Sequence, residues 1–369
     1  MSEANSISLC MIVRDEEDVL GRCLESVYDL VDEIVIVDTG SQDGTKEIAA
    51  AYTERIFDFT WIDDFAAARN AAFAKASCAY CMWLDADDVL LAADRQKFKD
   101  LKAGLGAQVD VVMLPYNVGF DAQGKVTFSY YRERIIRNNG TMCWQGAVHE
   151  AISPKGQVIY GDCAVTHWKL HPSDPDRNLR IFEGLLAKGE LLEPRQQFYY
   201  GRELYYHKQY ERALAVFEAF LADGRGWLEN KLDACRHAAL CLYGLGQRQR
   251  ALAALLHSFA YDLPRAEICC DLGRHFVEEE AWEQAIYWYQ RALDCQRRDA
   301  SGGFVQQDAY GYLPCLQICV CYNRLGRNIE AAAYNERAAQ FKPDCPAVAY
   351  NRAYFAALQN EAESEPGNC

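Results

Sequence analysis

Long apolar runs and an excess of positive charge are both missing from this 369-residue sequence. No stretch approaches the roughly 18 apolar residues that a membrane-spanning helix needs, so we expect no membrane span. The formal net charge is −15. Because phosphate binding needs clustered Lys and Arg, this charge excludes nucleic acid as a general partner. The start MSEANSISLCMIV lacks the basic region that is typical of a secretory signal peptide.

Cysteine, in contrast, is abundant, with 16 residues. Cys78 and Cys81 form the only Cys-x-x-Cys pair, and no second pair is present to complete a zinc site. Without a signal peptide, disulfides are not expected. We therefore predict reduced and mostly buried thiols in a cytoplasmic protein.

Apolar β-branched runs alternate with helical patterns in the first hundred residues. The predicted strands are 6–13, 33–38, 55–58 and 79–84. Strands and helices that alternate in this way predict βαβ units and an open α/β sheet with helices on both faces. Ligands bind beyond the carboxyl ends of the strands in such sheets. Asp38 and the acidic run 85–88 lie at two of these ends.

The rest of the chain shows two further patterns. From 108 to about 168 the segments are typical of strands of mixed length, and helical patterns dominate after about Asp176. The helical part repeats itself with spacings of 38, 34 and 46 residues, each repeat carrying an Ala flanked by small and large residues at fixed positions. The equivalent residues are Ala213, Ala251, Ala285 and Ala331. This pattern resembles the tetratricopeptide repeat, and a generic helical bundle is the alternative.

The segment Trp-Leu-Asp-Ala-Asp-Asp at 83–88 places three carboxylates directly after a buried strand. Like charges this close repel one another unless a cation offsets the repulsion. Mg²⁺ is typically held by one or two carboxylates together with substrate phosphates. Taken alone, however, the segment is more typical of an acidic surface turn or a helix cap.

Three further motifs accompany this segment in a fixed order. SISLCMIVRDEEDVLGRCLESV, EIVIVDTGSQDGT and DDFAAARNAAFAKAS precede MWLDADDVL. The series resembles the family-two glycosyltransferases of the GT-A fold, especially members that carry tetratricopeptide repeats. The resemblance covers about residues 6–180. It implies a GT-A, Rossmann-like nucleotide-sugar domain at 1–180 and an all-α tetratricopeptide-like domain at 181–369.

The resemblance also assigns the donor side of a site. Asp38 matches the carboxylate that recognises the base of a uridine nucleotide, and Asp85 matches a carboxylate near the ribose. Arg69 and Asn70 match an Ala-Arg-Asn element that lines the nucleotide pocket, and Val13 at the end of the first strand is placed beside it. The implied donor is a UDP-sugar.

A divalent metal, Mn²⁺ or Mg²⁺, is implied in the same way. Asp87 matches the metal ligand of the acidic motif, and His167 stands where these enzymes often supply a late ligand. His171 is a weaker alternative, and a hydrogen-bonded core residue is the other interpretation of His167. Asp88 is predicted to cap a following helix.

On the acceptor side, residues 144–150 (Trp-Gln-Gly-Ala-Val-His-Glu) resemble the W-x-G-x-V-H-E element of these enzymes. Inverting transfer needs a base that takes the proton of the acceptor. Glu150 is the candidate for this base and His149 is the second choice, because a neutral His also binds metal or phosphate.

The predicted activity is therefore metal-dependent, inverting transfer of a hexose or N-acetylhexosamine from a UDP-sugar to a Ser, Thr or Cys side chain of a peptide or protein. The layout is similar to peptide glycosyltransferases that modify bacteriocins and flagellins. Transfer to a cell-surface glycan and a non-catalytic repeat scaffold are the alternatives. A nucleotidyltransferase would need a Gly-rich basic loop where this chain has residues 14–17, Arg-Asp-Glu-Glu. The repeats are expected to present the acceptor or, alternatively, to form a homodimer.

Overall fold

The computed structural model describes residues 4–121, 124, 126–170, 174–298, 302–303 and 305–364. The chain divides into two compact units, Met1–Glu203 and Leu204–Cys369. The functional boundary expected at residue 180 stays a prediction.

The first unit begins with alternating strands and helices and continues with further strands before two helices. Its strands are β1 (Ile7–Val13), β2 (Glu33–Asp38), β3 (Ile56–Asp58), β4 (Tyr80–Trp83), β5 (Asp88–Val89), β6 (Val111–Phe120), β7 (Val126–Arg137), β8 (Trp144–Gln145), β9 (Ala151–Ile152), β10 (Val158–Tyr160) and β11 (Val165–His167). Its helices are α1 (Leu20–Val27), α2 (Thr45–Ala50), α3 (Phe65–Phe73), α4 (Ala92–Ala103), α5 (Arg177–Ala187) and α6 (Pro194–Tyr206), the last of which crosses into the second unit.

The main sheet is mixed. Strands β3, β2, β1 and β4 lie side by side and parallel, as the βαβ pattern predicts. Strand β7 then pairs antiparallel with both β4 and β6. Strand β11 lies parallel to β6 and antiparallel to β5, and β10 pairs with β6. The carboxyl ends of β1, β2 and β4 therefore meet at one edge, where ligands bind in α/β sheets.

Apolar strands with helices packed against them form the core of this unit. Leu9, Met11 and Ile36 are fully buried and pack with Leu20 and Leu24 of α1. Runs of β-branched and aliphatic residues in β1 and β2 fit strands that are covered on both faces. The core keeps the strand ends in place, and with them the polar side chains that follow each strand.

The second unit is helical. Its helices are α7 (Tyr210–Asp223), α8 (Leu228–Gly244), α9 (Arg248–His257), α10 (Ala266–Glu278), α11 (Trp282–Asp294), α12 (Tyr312–Arg324), α13 (Asn328–Phe341) and α14 (Pro346–Ser364), with 3-10 helices at Ser258–Ala260 and Gln307–Tyr310. Consecutive helices pack as hairpins, α8 on α9, α10 on α11 and α12 on α13. The four equivalent Ala residues of the repeat are all fully buried. The α/β domain followed by tetratricopeptide-like hairpins confirms the predicted fold class.

Cysteine burial follows the prediction. Of the fifteen cysteines that the structure describes, eleven are buried, and each of the fifteen is a free thiol. Cys81 of the Cys-x-x-Cys pair is buried in β4. Within the described ranges, no helix is both long and apolar enough to cross a membrane.

Candidate active site

Asp38 is the last residue of β2 and lies in register with Val13 at the end of β1. Its side chain is almost fully buried, at 1% exposure. The backbone N–H groups of Gly40 and Ser41 donate to its Oδ2 at 3.0 and 3.1 Å. Among the described residues its buried Oδ1 has no hydrogen-bond partner. A buried, unpaired carboxylate oxygen is costly, so this atom is suited to accept from a ligand N–H.

Val13 contributes to this edge mainly through its backbone. Its carbonyl accepts from the N–H and the hydroxyl of Thr39 at 2.9 and 3.1 Å. Its side chain belongs to the apolar core. Val13 thus joins the ends of β1 and β2, and its role in nucleotide binding stays a prediction.

Arg69 of α3 joins two of the predicted site residues. Its Nη2 donates to Oδ1 of Asp85, which follows β4, and its Nε donates to Oε1 of Glu150, both at 2.6 Å. The guanidinium lies over the rings of Trp83 and Trp144, at 4.8 and 4.9 Å from their centroids. Two aromatic faces and two carboxylates therefore fix Arg69, which itself is buried.

The charges around Asp85 keep it ionised. Burial alone would raise the pKa of Asp85, but the guanidinium groups of Arg69 and Arg134 outweigh burial and lower the pKa from 3.8 to about 2. Burial lowers the pKa of Arg69, but the carboxylates of Asp85 and Glu150 outweigh burial and raise it. The pair is therefore charged at every physiological pH.

Asp87, Asp88 and His167 form a cluster with the spacing of a metal site. Their ligand atoms all lie within 4.8 Å of one another. Nδ1 of His167 is 3.3 Å from a carboxylate oxygen of each Asp. The backbone N–H of Trp168 donates to the carbonyl of Asp87 at 2.9 Å, so β11 and the acidic loop are tied together.

The partners of Asp88 separate its role from that of Asp87. Asp88 is fully buried in β5 and accepts from Arg134 at 2.9 Å, from the hydroxyl of Tyr116 at 2.9 Å and from the N–H of Asp85 at 3.1 Å. It is not a helix cap, so that prediction is wrong. Because both oxygens of Asp88 have donors, Asp87 and His167 retain more capacity for a cation.

Electrostatics favour a positive charge at this cluster. Burial lowers the pKa of His167, but hydrogen bonds to Asp87 and Asp88 outweigh burial and raise it from 6.5 to about 10. A protonated imidazole thus supplies the charge that the two carboxylates need. Carboxylate ligands suit Mn²⁺ and Mg²⁺, so the two aspartates fit the predicted metal.

Glu16, in the loop after β1, adds a further carboxyl to this region. Burial, followed by repulsion from Asp87 and Asp85, raises its pKa from 4.5 to about 7. Glu16 was not among the predicted site residues. The sequence feature that could have indicated it is the acidic run after the first strand, because other acidic residues follow strands at the same edge of the sheet.

The acceptor element 144–150 is tied to α3. The amide of Asn70 donates to the carbonyl of Trp144 at 3.0 Å and accepts from its N–H at 2.9 Å. The N–H of Phe65 donates to the carbonyl of Ala147 at 2.8 Å. The side chain of Asn70 therefore binds the backbone of Trp144, whereas the predicted role of Asn70 was to contact the nucleotide.

His149 turns towards α5 and α6. Its Nε2 lies 2.8 Å from Oε1 of Glu203, and its ring stacks on Tyr199 with centroids 4.1 Å apart. Its φ of 52° is left-handed, a conformation that costs a non-glycine residue on the order of 1–2 kcal/mol. His149 and Glu150 therefore have different surroundings, although they are adjacent in sequence.

The structure brings most of the predicted residues to one edge of the sheet. Asp85, Arg69 and Glu150 are in direct contact, and Asp87 contacts His167. Asn70 and His149 have structural partners, and His171 lies outside the described residues. Arg134 was missed, although it alternates with Arg132 along β7 and so shares a face with it.

Comparisons with known proteins show what this region is similar to. The sequence model of glycosyl transferase family 2 matches residues 8–152. A TPR repeat-containing protein of Synechococcus elongatus is 38% identical over 146 residues, 40% of this chain and 35% of that protein. The lipopolysaccharide core biosynthesis glycosyltransferase LpsC of Rhizobium meliloti is 31% identical over 159 residues, 41% of this chain and 58% of LpsC.

The prophage-derived glycosyltransferase SunS of Bacillus subtilis is 27% identical over 228 residues, 58% of this chain and 52% of SunS. The chain thus spans between 35% and 58% of the length of these relatives. Among solved structures, MamA from Desulfovibrio magneticus has a TM-score of 0.37 and 21% identity, over 47% of this chain and 89% of MamA. A TPR protein of Thermus thermophilus has a TM-score of 0.34 and 19% identity, over 50% and 89% of the two chains.

Proposed function

We propose that this chain, whose residues 8–152 match the sequence model of glycosyl transferase family 2, is an inverting, metal-dependent glycosyltransferase. The proposed reaction moves a hexose or N-acetylhexosamine from a UDP-sugar to a Ser, Thr or Cys side chain of a peptide or protein. One observation carries it. Arg69 bridges the carboxylates of Asp85 and Glu150, and Asp87, two residues after Asp85, contacts His167.

The donor pocket is proposed at Asp38. Its buried Oδ1 needs a hydrogen-bond donor, and the imide N–H of uracil is one that a carboxylate accepts well. Cytosine has no hydrogen on the corresponding ring nitrogen. This difference supports a uridine donor over a cytidine donor.

A divalent cation, Mn²⁺ or Mg²⁺, is proposed between Asp87 and His167, with Asp88 behind them. Bound there, a cation would neutralise the negative charge of the diphosphate. The carboxylates of Asp87 and Asp88, each with an oxygen 3.3 Å from Nδ1 of His167, support this assignment because they supply negative charge that attracts a cation. His167 would have to be neutral in order to ligate the cation.

Glu150 is proposed as the base. Its Oε1 is held by Arg69, whereas among the described residues no donor reaches its Oε2, which leaves that oxygen to accept a proton from the acceptor. His149 is the weaker candidate because its Nε2 is already paired with Glu203. A single base without a protein nucleophile fits direct displacement with inversion.

The proposal of a peptide acceptor is based on the repeat domain, because stacked helical hairpins present extended surfaces that suit peptides. A cell-surface glycan is the second candidate, since the printed name of the relative LpsC places that protein in lipopolysaccharide core biosynthesis. A relic domain on a scaffold is disfavoured, because a relic has no need to keep Asp38, Asp85, Asp87 and Glu150 together.

The test is release of UDP by the full chain from UDP-glucose, UDP-galactose and UDP-N-acetylglucosamine, with MnCl₂ or MgCl₂. We expect turnover of at least one donor, its loss in excess EDTA, and its near loss in Asp87→Asn. Asp100→Asn, an exposed acid on α4, serves as the matched control and should keep wild-type turnover. Full turnover in EDTA contradicts the metal, and no turnover of any UDP-sugar contradicts the donor class.

A further inference from the structure

The acceptor loop 146–150 contains two left-handed residues. Gly146 has a φ of 94° and His149 a φ of 52°. Glycine adopts such angles freely, but a histidine keeps one only where its surroundings hold it there. The contacts that hold His149 therefore also determine the course of the chain into Glu150.

The ring of His149 is held by three side chains of α5 and α6. Oε1 of Glu203 lies 2.8 Å from Nε2 of His149 and accepts from the amide of Asn178 at 3.1 Å. The ring of Tyr199 lies almost parallel to the imidazole, with an interplanar angle of 13°. Glu203 and Tyr199 are themselves buried, at 6% and 7% exposure, so they provide a firm support.

The same helix also holds the backbone of His149. Nε of Arg195 donates to the carbonyl of His149 at 3.1 Å, and the guanidinium of Arg195 lies over the ring of Tyr199 at 4.9 Å. That carbonyl belongs to the planar peptide group that connects His149 to Glu150. Fixing both the φ and the carbonyl of His149 therefore fixes the direction in which Glu150 leaves the loop.

From the other side, Glu150 is held by arginines of the sheet domain. Arg69 donates to its side chain at 2.6 Å, and Arg132 donates to its carbonyl at 3.4 Å. Without the support from α6, these two contacts would act on a loop free to relax its left-handed residue. The position of the Glu150 carboxylate then would not be unique.

We propose that Glu203 of α6, together with Tyr199 and Arg195, is a positioning residue for Glu150 and acts through His149. The inference rests on the proposed function, in which Glu150 is the base. It makes α6 part of the catalytic apparatus, although the family match ends at residue 152.

The experiment uses the full chain with UDP-sugar and an acceptor peptide pool containing Ser, Thr and Cys. Glu203→Ala should lower kcat on the order of 10-fold to 100-fold, the effect of misplacing a catalytic group, and leave the KM for the donor and the Kd for UDP unchanged. Glu203→Gln keeps an oxygen that accepts from His149 and Asn178, so it should restore most of kcat. Glu193→Ala, an exposed acid just before α6, is the matched control.

A double mutant separates this inference from the proposed function. If Glu203 acts through Glu150, then Glu150→Gln with Glu203→Ala should be no slower than Glu150→Gln alone. If Glu150→Gln lowers kcat but Glu203→Ala keeps the wild-type kcat, the positioning role is overturned and the proposed function still stands. A Glu150→Gln with wild-type kcat overturns the base itself.

A second variant tests the same inference if Glu203→Ala does not fold. His149→Asn removes the ring, and Asn tolerates a left-handed φ, so the loop backbone should be retained. We expect the same loss of kcat and again no further loss on the Glu150→Gln background. Wild-type kcat in His149→Asn overturns the proposal.

Discussion

Arg134 and Asp88 form an ion pair in which both side chains are fully buried, and Asp88 belongs to the candidate metal cluster. The guanidinium is sandwiched between the rings of Trp83 and Tyr116, at 3.8 and 4.2 Å. Desolvating two charges is costly, and such a pair is retained where it serves specificity or position. Here the pair fixes the end of the acidic loop so that the neighbouring Asp87 faces His167.

Glu150→Gln tests the base at the level of one atom. The change is nearly isosteric, so binding of UDP should be unchanged, whereas kcat should fall by about 10²–10⁴-fold, the usual effect of losing a general base. A Cys acceptor should show a smaller loss, because a thiol needs less help to lose its proton. Transfer is measured by mass spectrometry of the peptide, with Glu193→Gln as control. Near-normal transfer would move the role to His149.

Glu16 predicts a pH dependence of stability. Its pKa of about 7 in the folded chain exceeds its ordinary value of 4.5, so the folded state binds the proton more tightly. The contribution of Glu16 to the free energy of unfolding therefore falls as pH rises from about 4.5 through 7. Glu16→Gln removes this dependence.

Glu16→Gln should accordingly have a higher melting temperature than wild type when both are measured in EDTA. This increase should be larger at pH 8 than at pH 5. Glu47→Gln, an exposed acid on α2, should show no such difference between the two pH values. An equal shift of Glu16→Gln at both pH values argues against the raised pKa.

At the residue scale, strand ends were the reliable signal. Asp38 and Asp85 lie where a polar residue after an apolar strand must lie. The sequence did not reveal the partners. Asp88 was assigned to a helix cap because nothing in its neighbourhood indicates Arg134, 46 residues later, and ion pairs between distant strands leave no local pattern.

At the scale of elements, β7 shows what a linear pattern cannot supply. Periodicity predicts that β7 is a strand, but not that it inserts between β4 and β6 and reverses the local direction of the sheet. The four parallel strands were predictable because each βαβ connection restricts its neighbours. The position of β7 depends on pairing between distant segments, which composition does not encode.

The helical hairpins were predictable because each repeat needs small residues at the same positions. Gly273 of α10 faces Tyr289 of α11, and a Cβ on Gly273 would lie 2.7 Å from ring atoms of Tyr289. The ring is 2% exposed and has little space to move. The small residue is thus required by the close approach of the two helices.

Gly273→Ala should therefore destabilise the repeat domain. Overpacking costs about 1–3 kcal/mol, and the better helix propensity of Ala offsets about 1 kcal/mol of this. Gly184→Ala on α5 is the matched control, because a Cβ there meets no atom within 4 Å, and it should be neutral or stabilising. Urea unfolding followed by circular dichroism measures both variants. A Gly273→Ala protein as stable as Gly184→Ala would contradict the close packing.

At the scale of the whole molecule, the aromatic side chains of the helical part divide between the cores and the surface. Phe198 and Tyr289 are buried, at 0% and 2% exposure, and belong to the cores. Tyr206 and Tyr287 remain exposed, each at 53%. An acceptor-binding surface on the repeats would therefore rely on a few exposed aromatic residues and on polar side chains, because large residues such as Tyr289 are buried between the helices.

Removing the repeats tests their role in acceptor binding. Deletion from residue 208 onward keeps α6 whole, and the first unit retains its own sheet and core. Because the proposed donor residues all lie before residue 170, we expect UDP-sugar hydrolysis to persist. The KM for the acceptor peptide pool should rise about 10-fold or more, equivalent to the loss of about 1.4 kcal/mol of binding. Circular dichroism and UDP affinity serve as controls for folding. If the truncated chain keeps its KM for the peptides but changes from dimer to monomer in light scattering, the repeats are a dimer interface and the acceptor binds to the first unit alone.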